Sequence, residues 1–137
     1  MTEPLNVVLF SGTDDRLQAA AVLTAGAAAM GRPVHLFLQY WALDAFRADR
    51  IGRDHGLAPE AGPEGRAAVD RLARAGQSPW SETLRMAKEL VEVDIQACSL
   101  SMDLLAIEST DLDPLVDGVE GVAAFYDNAG DGQVLFI

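Results

Sequence analysis

Apolar positions gather in short blocks, separated by residues that start helices or make turns. Leu5 to Phe10 is a nearly unbroken apolar block ending in Ser11-Gly-Thr-Asp-Asp, a cluster of helix-capping residue types. From Leu17 to Met30 the chain is rich in Ala, with Leu and Val at helical spacing, so a strand is predicted to run into a helix. Gly31 closes that helix, Pro33 opens a new segment, and Val34 to Tyr40 reads as a second buried strand. A β-α-β unit implies parallel strands joined by a right-handed crossover.

From Arg47 to Gln77 the pattern gives way to Gly, Pro, Arg, Asp and Glu with short helical pieces such as Arg66 to Ala75, which predicts a mobile excursion. Ser78-Pro79 then predicts a helix with Pro at its first position. Trp80, Leu84, Ala87 and Val91 recur on one face as far as about Glu92. Val93 to Cys98 reads as a third strand, followed by a helix on which Leu100 and Leu104 lie one turn apart. Val119, Val122, Ala123 and Tyr126 predict another helix, Asn128 to Gly132 a turn, and Val134 to Ile137 a closing strand. Four strands are clear and a fifth is allowed. Alternating helices and nearly all-apolar strands predict an α/β fold, a three-layer α/β/α sandwich around a mostly parallel sheet of four to five strands. At 137 residues, one domain spanning 1–137 is expected, with a variable excursion at about 47–77.

Composition and charge narrow the function. Half of the residues are hydrophobic and 23% are charged, a globular composition and not a disordered one. A formal charge of −11 opposes phosphate backbones, so no nucleic acid partner is expected. The longest apolar run, Ala19 to Met30, is too short for a span and carries Thr24 and Gly26, so no membrane insertion is expected. The start, Met-Thr-Glu-Pro-Leu-Asn, has no basic region of the secretory kind, and a cytoplasmic location is expected. One cysteine makes no internal disulfide, and His35 and His55 do not stand at ligand spacing to it, so no metal and no cofactor are expected.

Ligands of parallel sheets collect beyond the carboxyl ends of the strands, where this reading places Ser11 to Asp15, Tyr40 to Leu43 and Cys98 to Ser101. Cys98 falls between a strand and a helix, and a helix N-terminus favours the thiolate by up to about 2 kcal/mol in good geometry. Asp94 and Asp103 work against it, and Arg47, Arg50 and Arg53 approach only if the excursion folds over the site. A buried free cysteine also serves as a small hydrophobe. Disulfide cycling within the chain needs a second cysteine, but position 101 is Ser. A cysteine hydrolase needs a positioned base, whereas His35 reads as a packed strand residue and His55 as solvated. A persulfide carrier needs one accessible thiolate and a partner. Ser11-Gly-Thr-Asp-Asp lacks the glycine spacing and the Lys of a phosphate loop and reads as a cap. Tyr40 and Trp41 either wall a pocket beside the thiol or pack in the core or an interface.

Several segments in order, Ser11-Gly with its Ala-rich helix to Gly31, Val34 to Leu43, Ala97-Cys-Ser-Leu-Ser-Met102, Leu105-Ala-Ile, Gly118 to Phe125 and Leu135-Phe-Ile, resemble the DsrE/DsrF-like family. The resemblance covers most of the chain outside 47–77. It implies a three-layer α/β/α fold, homo-oligomers, and a cysteine at Cys98 that carries sulfur between donor and acceptor proteins. Similar members are sometimes labelled peroxiredoxin-like, but Val91 to Ala97 has none of the Pro, Thr or Ser that precede a peroxidatic cysteine. The chain departs from the family at Leu38-Gln39-Tyr40, where Phe and Thr are more usual before the Trp. The expected function is a sulfur carrier, or sulfurtransferase of the carrier type, with Cys98 as the reactive residue. Ser99, Leu100 and Ser101 would hold the persulfide with their N–H groups, Tyr40 and Trp41 would shape the mouth, and Ser11 and Gly12 are further substrate-binding candidates. The alternative is a noncatalytic oligomeric binding or assembly module in which Cys98 is structural.

Overall fold

The computed structural model describes residues 3–137. Along the chain run β1 (Leu5–Leu9), α1 (Asp14–Ala29), β2 (Val34–Leu38), α2 (Tyr40–Ala45), α3 (Gly65–Arg74), α4 (Trp80–Leu90), β3 (Val93–Cys98), α5 (Ser99–Leu105), β4 (Gly118–Glu120), α6 (Val122–Ala129) and β5 (Gln133–Phe136). The strands form one sheet in the order β4-β3-β2-β1-β5, and every neighbouring pair is parallel. Among the described residues, no helix is long and apolar enough to cross a membrane.

Crossover handedness explains why the two outer layers differ. The chain steps outward from β1 to β2 to β3, and right-handed connections put α1 and α4 on one face of the sheet. From β4 the chain travels back across the whole sheet to β5, so its helix, α6, lands on the opposite face. On the first face Leu5, Val7, Leu9, Leu36, Leu38 and Ile95 meet Leu17, Ala20, Ala21, Trp80 and Leu84 in one continuous core. Each buried Leu, Ile, Val or Phe there contributes about 1.5–3 kcal/mol. The small Ala20, Ala21 and Ala28 of α1 permit close approach, and α1 packs most extensively on α4. The second face is thinly covered: α6 buries only Phe125 and Ala129.

The sandwich and the parallel sheet agree with the sequence pattern, and several details differ. Tyr40 opens α2 instead of ending β2, and the chain turns there with Tyr40 at φ 45. Such a left-handed residue costs about 1–3 kcal/mol unless held from outside. The hold is visible: the Tyr40 N–H donates to Ser101 Oγ at 3.1 Å, and its ring lies 5.0 Å from that of Phe10. Val119 belongs to the fifth strand, β4, and not to the helix that follows, because Gly121 separates the two. Pro79 occupies the cap, and the helix starts at Trp80. On α5 it is Ser101 and Met102 that are buried, while Leu100 and Leu104 face outward.

Within the stretch 47–77, residues 55–58 are bonded to the start of α1. The His55 N–H donates to Asp14 Oδ2 at 3.0 Å, the Asp14 N–H donates to the Gly56 carbonyl at 2.9 Å, and the Ala58 N–H reaches Asp15 Oδ1 at 3.1 Å. These bonds place that segment beside Asp14 and Asp15, on the α1–α4 side of the sheet.

Candidate functional site

Parallel pairing fixes which side chains share the second face. Cys98 pairs with Glu120, His35 with Asp94, and Val8 with both Phe37 and Phe136, so all of these project to the side that α6 covers. Cys98 is 1% exposed and packs with Phe37, Phe125 and Val8. The Phe125 ring stacks on Phe37 at 4.9 Å and lies 5.2 Å from the His35 ring. A single aromatic side chain from α6 therefore closes the cysteine against the sheet. α6 itself is bracketed by Gly121 and by Gly130, the latter at φ 54.

Beside this apolar seat lies a polar cluster that sequence reasoning did not find. His35 Nε2 is 2.5 Å from Glu120 Oε1, and both side chains are more than nine-tenths buried. Asn128, on α6, donates from Nδ2 to the other carboxylate oxygen, Oε2, at 3.1 Å. Glu120 thus ties the β2 face to the lid helix. In sequence it is one acidic residue between glycines in Gly118-Val-Glu-Gly121, and only the strand order places it opposite a buried histidine. His35 is a packed strand residue, as its pattern predicts. His55 is not solvated, since it is half-buried with its ring 6.1 Å from that of Trp80.

The residues expected around Cys98 divide into two groups. Cys98 caps α5 at the end of β3, but its side chain makes no capping bond to the amides that follow. Its sulfur instead enters the apolar layer under Phe125. Ser99 is exposed and borders an open cleft of about 440 Å³ shared with Asp103, Glu108 and Val119. Leu100 is exposed, and Ser101 is fully buried as acceptor for the Tyr40 N–H. Ser11 is buried with its Oγ 3.3 Å from Thr13 Oγ1, while Trp41 is exposed beside Tyr40. Strand ends thus gather Ser11, Gly12, Tyr40, Trp41 and Ser101 along one rim, with the thiol turned beneath it. An aromatic row, Phe136, Phe10, Tyr40 and Trp41, continues along that rim with successive ring spacings of 5.8, 5.0 and 6.1 Å. Arg47 and Arg50 are engaged with Asp44 and do not reach Cys98. Among the described residues no three His, Cys, Asp or Glu side chains converge as a metal-ligand set.

Gly12 is where this rim is tightest. A Cβ built there meets the Trp41 carbonyl oxygen at 2.3 Å, which is backbone and cannot swing aside. Gly12→Ala is expected to separate the β1–α1 turn from α2 at a cost of about 1–3 kcal/mol. Thermal unfolding reads the loss and tryptophan emission reads the shift at Trp41; an unchanged melting temperature would show that the contact is soft.

Residues 1–63 match the DsrE/DsrF/DrsH-like family. That match ends before Cys98. Over 157 aligned positions the chain is 30% identical to the uncharacterized protein YrkE of Bacillus subtilis (strain 168), covering 99% of this chain and 98% of YrkE. Among solved structures, the crystal structure of the ychN protein from E. coli superposes with a TM-score of 0.61 over 100% of both chains at 16% identity, a likeness of fold.

Proposed function

This chain belongs to the DsrE/DsrF/DrsH-like family, and from that premise we propose that it is a sulfur carrier whose Cys98 takes up sulfane sulfur as a persulfide and passes it to a partner protein. The observation that carries the reading is the position of Cys98 at the carboxyl end of an interior parallel strand, closed by one short helix that inserts one aromatic side chain. In such sheets that edge is where ligands and chemistry collect.

The reaction needs one thiol on this chain. The Cys98 thiolate attacks the outer sulfur of a donor persulfide, forming the Cys98 S–S bond and releasing the donor thiolate. An acceptor thiolate then attacks the outer sulfur of the Cys98 persulfide and regenerates the Cys98 thiolate, so sulfur moves with no net oxidation. At 1% exposure the sulfur is out of a donor's reach, so loading requires α6 to swing away. Tyr40, Trp41, Ser11 and Gly12 then border the path, and the amides of Ser99 to Ser101 become available to the charged persulfide.

Intact-protein mass spectrometry after exposure to polysulfide or a small persulfide donor tests this. Whole-sulfur additions are expected on the parent chain and absent from Cys98→Ser, and an added thiol acceptor removes them. No addition to the parent chain at any donor concentration would sink the carrier.

A second reading is favoured by a specific observation, the exposed apolar surface around the buried cysteine. Phe136 is 69% exposed and Tyr126 65%, with Leu100, Leu104 and Trp41 also outward. In a noncatalytic homo-oligomeric assembly module these side chains meet a second copy or a partner, and Cys98 is core filler. Under that reading Cys98→Ser leaves the assembly mass unchanged and no sulfur is taken up.

A further inference from the structure

On the face of the sheet away from Cys98, α3 has its apolar residues on one side yet buries none of them. Val69, Leu72 and Ala73 look across a cavity of about 550 Å³ toward Trp80 and Ile51. An amphipathic helix ordinarily lays its apolar side on the core. Here it roofs an opening whose volume falls in the range of about 300–1,000 Å³ typical of small-molecule pockets. Trp80, 5% exposed, is the aromatic floor.

The polar rim has a definite sign. Asp14, Asp15 and Asp54 line the cavity, together with Arg53 and Arg66. Neutral donors fix two of the carboxylates without cancelling their charge: Asp14 takes the Trp80 Nε1–H at 3.3 Å and the His55 N–H at 3.0 Å, and Asp15 takes the Ala58 N–H at 3.1 Å. Burial alone would raise the Asp15 carboxyl, but hydrogen bonds from Thr13 and from backbone amides outweigh it and hold Asp15 below the usual carboxylate range. The Gly56 N–H chiefly holds Asp54 below that range, with its slight burial opposing and the Arg66 guanidinium assisting. Arg66 is occupied, its Nη2 lying 3.1 Å from Asp54 Oδ1. Three carboxylates against two guanidinium groups leave the lining one negative charge in excess, in a chain of formal charge −11.

The geometry points to this cavity as a binding site for a small amphipathic cation, an acyl-chain or aryl body carrying one ammonium group. The body replaces the missing core contact of α3 over Trp80. The ammonium group faces Asp14 and Asp15. Cys98 takes no part, so this site stands or falls separately from sulfur transfer.

The chain has two tryptophans, so a Trp41→Phe background leaves Trp80 as the sole reporter. Titration with n-octylammonium is expected to shift Trp80 emission saturably at one equivalent per chain, and octanoate of the same chain length is expected to leave it unmoved. Leu72 is 52% exposed and Asp54 is exposed, so Leu72→Ser and Asp54→Asn should fold normally, which circular dichroism checks. Leu72→Ser removes buried contact area with the ligand and should weaken octylammonium binding by about tenfold. Asp54→Asn should narrow the preference for the cation over octanoate. Octanoate binding as tightly as octylammonium, no saturable response, or two variants that bind like the parent would each overturn the assignment. A signal seen only with a macromolecular partner would also overturn it, making the α3 face a protein contact.

Discussion

Phe125→Ala is expected to make Cys98 react with small thiol reagents about a hundred times faster than in the parent chain, a factor that corresponds to roughly 3 kcal/mol of lost closure at 1.4 kcal/mol per tenfold. Phe125 and Ala129 are the only buried side chains of α6, and Phe125 stacks on Phe37 over the sulfur. Truncating a buried Phe to Ala costs about 3–5 kcal/mol in transfer and cavity terms. With only Ala129 left to hold it, an eight-residue helix between two glycines cannot absorb that loss locally and opens. The control is Leu84→Ala, which removes a fully buried side chain from the opposite face at a cost of about 2–5 kcal/mol. Local opening predicts that Leu84→Ala lowers stability by a similar amount and leaves the labelling rate nearly unchanged. Equal acceleration by both variants would mean that Cys98 is reached only through global unfolding, and the carrier would lose its route of access.

The same asymmetry marks what the sequence could reveal. β1 and β2 are legible because their residues are almost all apolar, the cluster Ser11 to Asp15 brackets the start of α1, and β3 is legible because β-branched Val93 and Ile95 alternate with polar residues. The placement of Cys98 at a strand end was legible for the same reason. Its burial was not, because the covering residue is Phe125, and α6 reaches Cys98 only through the return crossover to β5. The pattern assigns Val119 to the helix because Gly118 to Phe125 carries apolar residues at spacings that suit either a helix or a three-residue strand followed by a glycine. The pattern extends the strand to Tyr40 because nothing local announces a left-handed tyrosine; Ser101, 61 residues later, supplies the bond that holds it. In the polar stretch 47–77, residues 55–58 are joined to α1 by backbone amides bonding to Asp14 and Asp15, and such bonds leave no mark in side-chain patterning.

The His35–Glu120 pair gives the other large effect. Replacing Glu120 with Leu is expected to destabilise the chain by about 3–5 kcal/mol, as is His35→Leu, because each leaves a buried polar partner unpaired. The double variant is expected to recover most of that loss, since two apolar side chains of suitable volume suit this layer between Phe37 and Phe125. Chemical denaturation of the four proteins closes the cycle and yields the coupling between the pair directly. Coupling near zero would mean that the two side chains do not share a bond in solution. The double variant also separates stability from access. It loses the Asn128 bond that joins α6 to Glu120, so it should fold nearly as well as the parent while labelling Cys98 faster. A double variant that recovers stability and still protects Cys98 as the parent does would assign closure to Phe125 alone and leave Glu120 a role only in packing β4 against β2 and β3.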